Sequence, residues 1–175
     1  MEFKKVLEKR QTIRRFKNKN IPEETIREIL ELANLAPSAG NLQAFKIIII
    51  KNDEIKKRIP EFTFSSQDFI AEAPVVFIIF ADLGVSAARF NERGRDLYAI
   101  QDATIFASYL QLAAASKKLT TVWVGSFDEK KVQKFFQTPK NLKPVVIMPC
   151  GYPKIEAPKT KRKKMEELIL TREHD

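Results

Sequence analysis

Two stretches of the chain are apolar almost without interruption. Ala73 to Ala81 and Pro144 to Cys150 carry no polar alternation, the pattern of strands covered on both faces. Phe45 to Ile50 reads as another buried strand and Thr120 to Val124 as a short one. The longest helical pattern runs from roughly Leu97 to Lys117. There Ile100, Ala103, Ala107, Leu110 and Ala114 recur at alternating three and four, while Ile105, Phe106, Tyr109, Leu112 and Ala113 cover another face. A helix apolar on several faces is buried, either within its own domain or against another subunit.

Shorter helices frame these segments. Residues 2 to 10 place Phe3, Val6 and Leu7 on one face and Arg10 next on that face. The guanidinium should therefore point toward the protein and need an anion there, a local glutamate being the plain alternative to a ligand. Pro22 with Glu23 and Glu24 starts a helix that stops before Pro37. Asp128 suits the cap of a helix through Phe136, and Met165, Leu168 and Ile169 mark a last helix whose apolar stripe must dock somewhere. Pro37 to Asn41 forms a polar loop between a helix end and a strand start, where binding groups are often carried. The aromatics Phe62, Phe64, Phe69, Phe90 and Tyr98 lie in weakly periodic sequence and receive no role. With no repeat or low-complexity linker, residues 1–175 are read as one domain.

Composition sharpens the picture mainly by exclusion. Apolar residues at 44% and charged residues at 30% argue for a folded domain over disorder. No apolar run approaches the ~18 residues of a membrane helix, and Met-Glu-Phe-Lys-Lys is no signal peptide. A soluble, cytoplasmic protein is expected. Cys150 is the only cysteine and His174 the only histidine. One chain therefore cannot build a disulfide, a zinc site or a Ser-His-Asp or Cys-His arrangement. The five glycines are too dispersed for either common nucleotide-binding loop. Any chemistry must come from carboxylates, lysines or a borrowed cofactor.

The formal charge of +9 is concentrated. Lys154, Lys159, Lys161, Arg162, Lys163 and Lys164 stand within eleven residues that hold one acid, Glu156. Such a cluster suits nucleic acid, an anionic surface, a small phosphate, or plain solvation.

Four segments in this order resemble the nitroreductase family of FMN-dependent oxidoreductases, over nearly the whole chain. Arg10-Gln11-Thr12-Ile13-Arg14-Arg15-Phe16 matches its opening Arg-x-Ser-x-Arg signature, with threonine for serine. Pro37-Ser38-Ala39-Gly40-Asn41-Leu42-Gln43 matches its Pro-Ser-x-x-Asn-x-Gln loop, departing at Ala44-Phe45 where Pro-Trp is usual. Trp123-Val124-Gly125-Ser126-Phe127 follows the long helix as the family's Trp-Ile-Gly does, although Lys118 replaces a glycine in the turn between. Gly151-Tyr152-Pro153 with Arg162, Glu166 and Glu167 resembles the closing pattern.

The resemblance implies an α+β fold with a central, mostly antiparallel sheet flanked by helices, in an intertwined homodimer. Arg10 and Arg162 would engage the FMN phosphate, with Lys161 as a neighbour, Gln11 and Thr12 would belong to the cofactor-binding set, and Arg14 would lie toward the pyrimidine edge of the ring. Ser38, Asn41 and Gln43, with Pro37 and Ala39, would reach the ring from the other subunit. The backbone of Val124, Gly125 and Ser126 would approach the hydride-accepting nitrogen. No side chain is expected to be catalytic, because FMN would pass a hydride from NADH or NADPH to a small acceptor such as a nitroaromatic or quinone. The need for cations is also physical, since a phosphate without a glycine loop must be held by charge. The rival reading is a basic protein that binds nucleic acid or an anionic surface without catalysis. No aromatics interleave the basic residues and no nucleic-acid module is recognisable, so no nucleic-acid or membrane partner is expected. A non-nitroreductase member of the same flavin superfamily is the other alternative.

Overall fold

The strand Val75–Asp82 (β2) is buried at all eight positions, which requires cover on both faces of the sheet it belongs to. The computed structural model describes residues 2–65, 67–158 and 160–170; Lys159 and His174, named above, lie outside them. β2 pairs on one side with Phe45–Ile50 (β1) and on the other with Leu142–Gly151 (β4), which in turn pairs with Thr120–Thr121 (β3). Every pairing is antiparallel. Ile48, Ile78 and Ile147 lie opposite one another across the three main strands.

The helices are Phe3–Lys9 (α1), Glu23–Ala33 (α2), Asp53–Arg58 (α3), Leu83–Arg93 (α4), Ala99–Ser116 (α5) and Glu129–Phe135 (α6). One sheet face carries Phe77, Ile79, Val146 and Met148 against Ile26, Ile29 and Ala33 of α2 and Ala103, Ala107, Leu110 and Ala114 of α5. The other carries Val76, Ile78, Phe80 and Ile147 against Ile59, Phe62, Ile70 and Val132. The sheet is thus sandwiched, as its uninterrupted apolar sequence requires. The alternative left open for α5 is resolved for its alanine face, which lies within the subunit. Tyr109 on another face is 39% exposed, and Ile105 and Leu112 are half-buried.

Several elements differ from the sequence reading. β1 is an edge strand, fully buried only at Ile50, because it has one sheet neighbour. The strand after α5 is regular only at Thr120–Thr121. Val122 N–H donates to Pro149 O at 3.1 Å, and a proline cannot return that bond. Pro144 is accommodated by a bulge, as β2 shifts register between Ile79 and Phe80. On α1 only Val6 is buried; Phe3 and Leu7 face outward. The closing helix reduces to one 3₁₀ turn, Met165–Glu167, and among the described residues Met165, Leu168 and Ile169 are left exposed.

α3 and α4 come from segments with little apolar periodicity. Their starts are fixed by local capping. Asn52 accepts from Ile55 N–H at 3.0 Å and Asp82 from Val85 N–H at 3.2 Å. Asp128 caps α6 as its position predicts, accepting from the amides of Lys130 and Lys131. A π-helical turn, Gly94–Tyr98, joins α4 to α5.

Candidate functional site

α1 ends at Arg10, whose backbone N–H closes on Val6 O at 2.9 Å. The chain then runs extended past Gln11, whose carbonyl accepts from the Thr120 hydroxyl at 2.9 Å. That bond ties the extended segment carrying Gln11 and Thr12 to the start of β3. Arg10 is half-buried and has no ion pair among the described residues, so the glutamate alternative is not realised. Its side chain instead helps line a cavity of about 530 Å³ with Leu7, Glu8, Gln11, Thr12, Ala157, Pro158, Thr160 and Arg162.

Arg10 and Arg162 are 152 positions apart in sequence and meet at this one cavity. Two arginines, two threonines and a glutamine line it together with Glu8, the one carboxylate among the described lining residues. That donor set suits a small dianion, for which guanidinium forks provide charge-assisted hydrogen bonds. Lys161 is exposed and outside the lining. A second cavity of about 680 Å³ shares Glu8, Gln11 and Ala157 with the first and extends past Ile13, Ala115, Leu119 and Thr120.

Arg14 is exposed, its guanidinium 5.8 Å from the centre of the Phe69 ring, a contact absent from the sequence reading. Lys118 adopts φ 62°, so the turn between α5 and β3 keeps the left-handed geometry despite losing a glycine. Beyond β3, Val124 is buried and exchanges both backbone bonds with Ile147 at 3.0 Å. Of the three residues singled out there, only Gly125 and Ser126 present amides without a backbone partner among the described residues. Both residues are exposed.

The Pro37–Gln43 loop is held elsewhere. Ser38 Oγ accepts from Gln43 N–H at 3.0 Å, and Gln43 Nε2 donates to Asn41 O at 3.1 Å. The Ala39 N–H donates to Asp102 Oδ1 at 2.9 Å, near the start of α5, while Ala115 at the other end lines the second cavity. Ala115 is thirteen positions beyond Asp102 on the helix, about 20 Å along the axis at a rise of about 1.5 Å per residue. One chain therefore assembles Arg10, Gln11, Thr12 and Arg162, and leaves Pro37, Ser38, Ala39, Asn41 and Gln43 outside that cavity. Ala44 and Phe45, where the loop departs from the family pattern, enter the core: Ala44 is fully buried and Phe45 packs on Phe106 with ring centres 4.4 Å apart.

Among the described residues no helix is long and apolar enough to cross a membrane. A Thermus thermophilus protein named NADH dehydrogenase is 29% identical over 94% of this chain and 93% of its own length. An iodotyrosine deiodinase of Thermotoga neapolitana is 29% identical over 88% and 90%. A crystal structure from Exiguobacterium sibiricum, of a protein described as a nitroreductase in complex with FMN, superposes with a TM-score of 0.87 at 18% identity, covering 98% of each chain. The fold, the antiparallel sheet and the order of the segments thus have a common explanation. The model of the nitroreductase family matches residues 7–66 and 58–152, and the chain belongs to that family.

Proposed function

We propose that the protein is an FMN-dependent oxidoreductase that works as a homodimer and takes a hydride from NADH or NADPH for a small acceptor, such as a nitroaromatic or quinone. The observation that carries this reading is the meeting of Arg10 and Arg162 at one cavity in a chain of the nitroreductase family. FMN, when bound, supplies the capacity to accept a hydride from one substrate and give electrons to another. The protein supplies binding, orientation and electrostatics.

Arg10 and Arg162 hold the phosphate, with Gln11 and Thr12 completing its polar contacts and Lys161 adding charge nearby. Arg14 would supply a cation toward the ring's pyrimidine edge, to stabilise negative charge there. The amides of Gly125 and Ser126, without a backbone partner among the described residues, would serve the reacting edge, and the absent side chain at Gly125 leaves room for it. Ser38, Asn41 and Gln43 come from the partner. The separation of their loop from the cavity along α5 supports this division, as do the uncovered Phe3, Leu7, Met165, Leu168 and Ile169.

The test is direct. Purified protein should be yellow, and anaerobic titration with NADH or NADPH should bleach the blue absorbance of its flavin. Protein that neither carries nor takes up FMN, or whose flavin is bleached by neither nucleotide, would overturn the reading. The Thermotoga relative favours a second acceptor class, iodinated aromatics. Release of iodide from iodotyrosine by the reduced enzyme would select it over nitroaromatic reduction.

A further inference from the structure

Resting on the two-subunit reading, we propose that Asp102 and Arg89 are positioning residues: they clamp the Pro37–Gln43 loop in the shape in which it completes the partner's flavin site.

The loop needs holding. Gly40, Asn41 and Gln43 all adopt positive φ, at 57°, 56° and 49°, a region that disfavours the two non-glycine residues. Its internal bonds, Gln43 N–H to Ser38 and Gln43 Nε2 to Asn41, tie the loop to itself but not to the body of the protein. Two side chains from different helices make that connection. From α5, Asp102 Oδ1 accepts the Ala39 N–H at 2.9 Å. From α4, Arg89 Nη1 donates to Gly40 O at 3.1 Å. One grips the backbone donor of one residue and the other the acceptor of the next.

Asp102 is otherwise an odd choice for its position. It is 2% exposed within the apolar run of α5, and its second oxygen, Oδ2, has no hydrogen-bond partner among the described residues. A buried carboxylate with an unsatisfied oxygen costs stability. The one bond that the described structure gives it goes to the loop. Arg89 likewise has no carboxylate partner among the described residues; its guanidinium lies 5.4 Å from the Phe90 ring centre. Gly40 is packed under this arm so closely that a Cβ there would stand 2.8 Å from Arg89 Nη1 and 3.1 Å from Phe90. The loop's backbone is therefore fitted to the clamp.

FMN affinity of the apoprotein, read by quenching of flavin fluorescence, tests the clamp without reference to turnover. Asp102→Leu should weaken binding about tenfold or more, the loss of one charge-assisted bond. Asp102→Asn should stay within about threefold of the parent, since the amide oxygen still accepts from Ala39. Arg89→Met should weaken binding in the same direction. Subunit mixing separates positioning from general damage to the fold. Asp102→Leu mixed with Arg10→Ala should recover one flavin site per mixed dimer, because one chain keeps its cavity and the other its loop. Asp102→Leu mixed with Asn41→Ala should recover none.

Asn41→Ala with Arg10→Ala is the reference mixture. Its failure to recover a site would overturn the two-subunit reading and the clamp with it. Recovery there, with none for Asp102→Leu plus Arg10→Ala, would overturn the clamp alone. An Asp102→Asn protein as weak as Asp102→Leu would also overturn it.

Discussion

Gly94 and Gly125 make opposite predictions for the same substitution. Gly94 opens the π-helical turn between α4 and α5, and a Cβ built there would lie 2.3 Å from the Ser86 carbonyl oxygen and 2.9 Å from the Phe90 Cβ. An ordinary close carbon-to-oxygen contact is about 3.3 Å, so the first distance is short by about 1 Å. Both atoms belong to backbone or its first substituent, and no rotamer change relieves them. Overpacking of this kind costs up to about 3 kcal/mol, offset by about 1 kcal/mol of improved helix propensity. The net of about 2 kcal/mol corresponds to a melting point lower by about 4–8 °C for a chain of this length. The strain would be applied next to Arg89 and Phe90, so flavin affinity should fall as well. Gly125, in contrast, has no described residue beyond its chain neighbours nearer to a built Cβ than the Trp123 ring nitrogen at 3.8 Å. Gly125→Ala should melt with the parent yet bind or use flavin poorly. Thermal unfolding by circular dichroism and flavin titration would read both. A Gly94→Ala protein melting within about 1 °C of the parent would refute the packing argument. Undiminished flavin binding and reduction in Gly125→Ala would refute the functional one.

Charges in the Arg10 cavity should act with opposite signs. Arg10→Ala should weaken FMN binding about 10- to 100-fold, and Glu8→Gln should tighten it, because Glu8 is the only carboxylate among the described residues lining that cavity. Equilibrium titration at low and moderate salt measures both, and weaker binding by Glu8→Gln would contradict the phosphate assignment. Cys150 is fully buried and desolvation pushes its thiol from 9.0 up to about 12, so it should resist thiol reagents at pH 8 until the protein is unfolded. Because the folded state holds this proton more tightly, stability should fall from about pH 9 toward pH 12 through this group. A native thiol labelled as fast as an unfolded one would refute its burial.

Much of the framework is legible because burial writes itself in continuous apolar sequence. β2, β4 and the alanine face of α5 follow from that alone, and Asp128 from its capping position. The edges of the framework are less legible. Whether Phe45–Ile50 has one neighbour or two is a property of topology, and Pro149 breaks the ladder with β3 through a missing donor whose partner lies far away in sequence. α3 and α4 carry their signal in caps, Asn52 and Asp82, more than in periodicity. At the site, the meeting of Arg10 with Arg162 follows from the family resemblance and the physics of holding a phosphate. Asp102 and Arg89 do not follow, because they reach the Pro37–Gln43 loop across 63 and 49 positions. A lone carboxylate inside the most apolar helix was the available sign. The outward-facing apolar residues 165, 168 and 169 show the complementary case, a stripe without cover among the described residues.

If cations from both ends of the polypeptide grip a phosphate, FMN and riboflavin should bind very differently. The two ligands share their ring and differ at that group. With the parent protein, FMN should bind at least about 100-fold more tightly than riboflavin, and in Arg10→Ala/Arg162→Ala the two affinities should converge. Riboflavin binding as tightly as FMN, or a preference for FMN that survives loss of both arginines, would contradict the account.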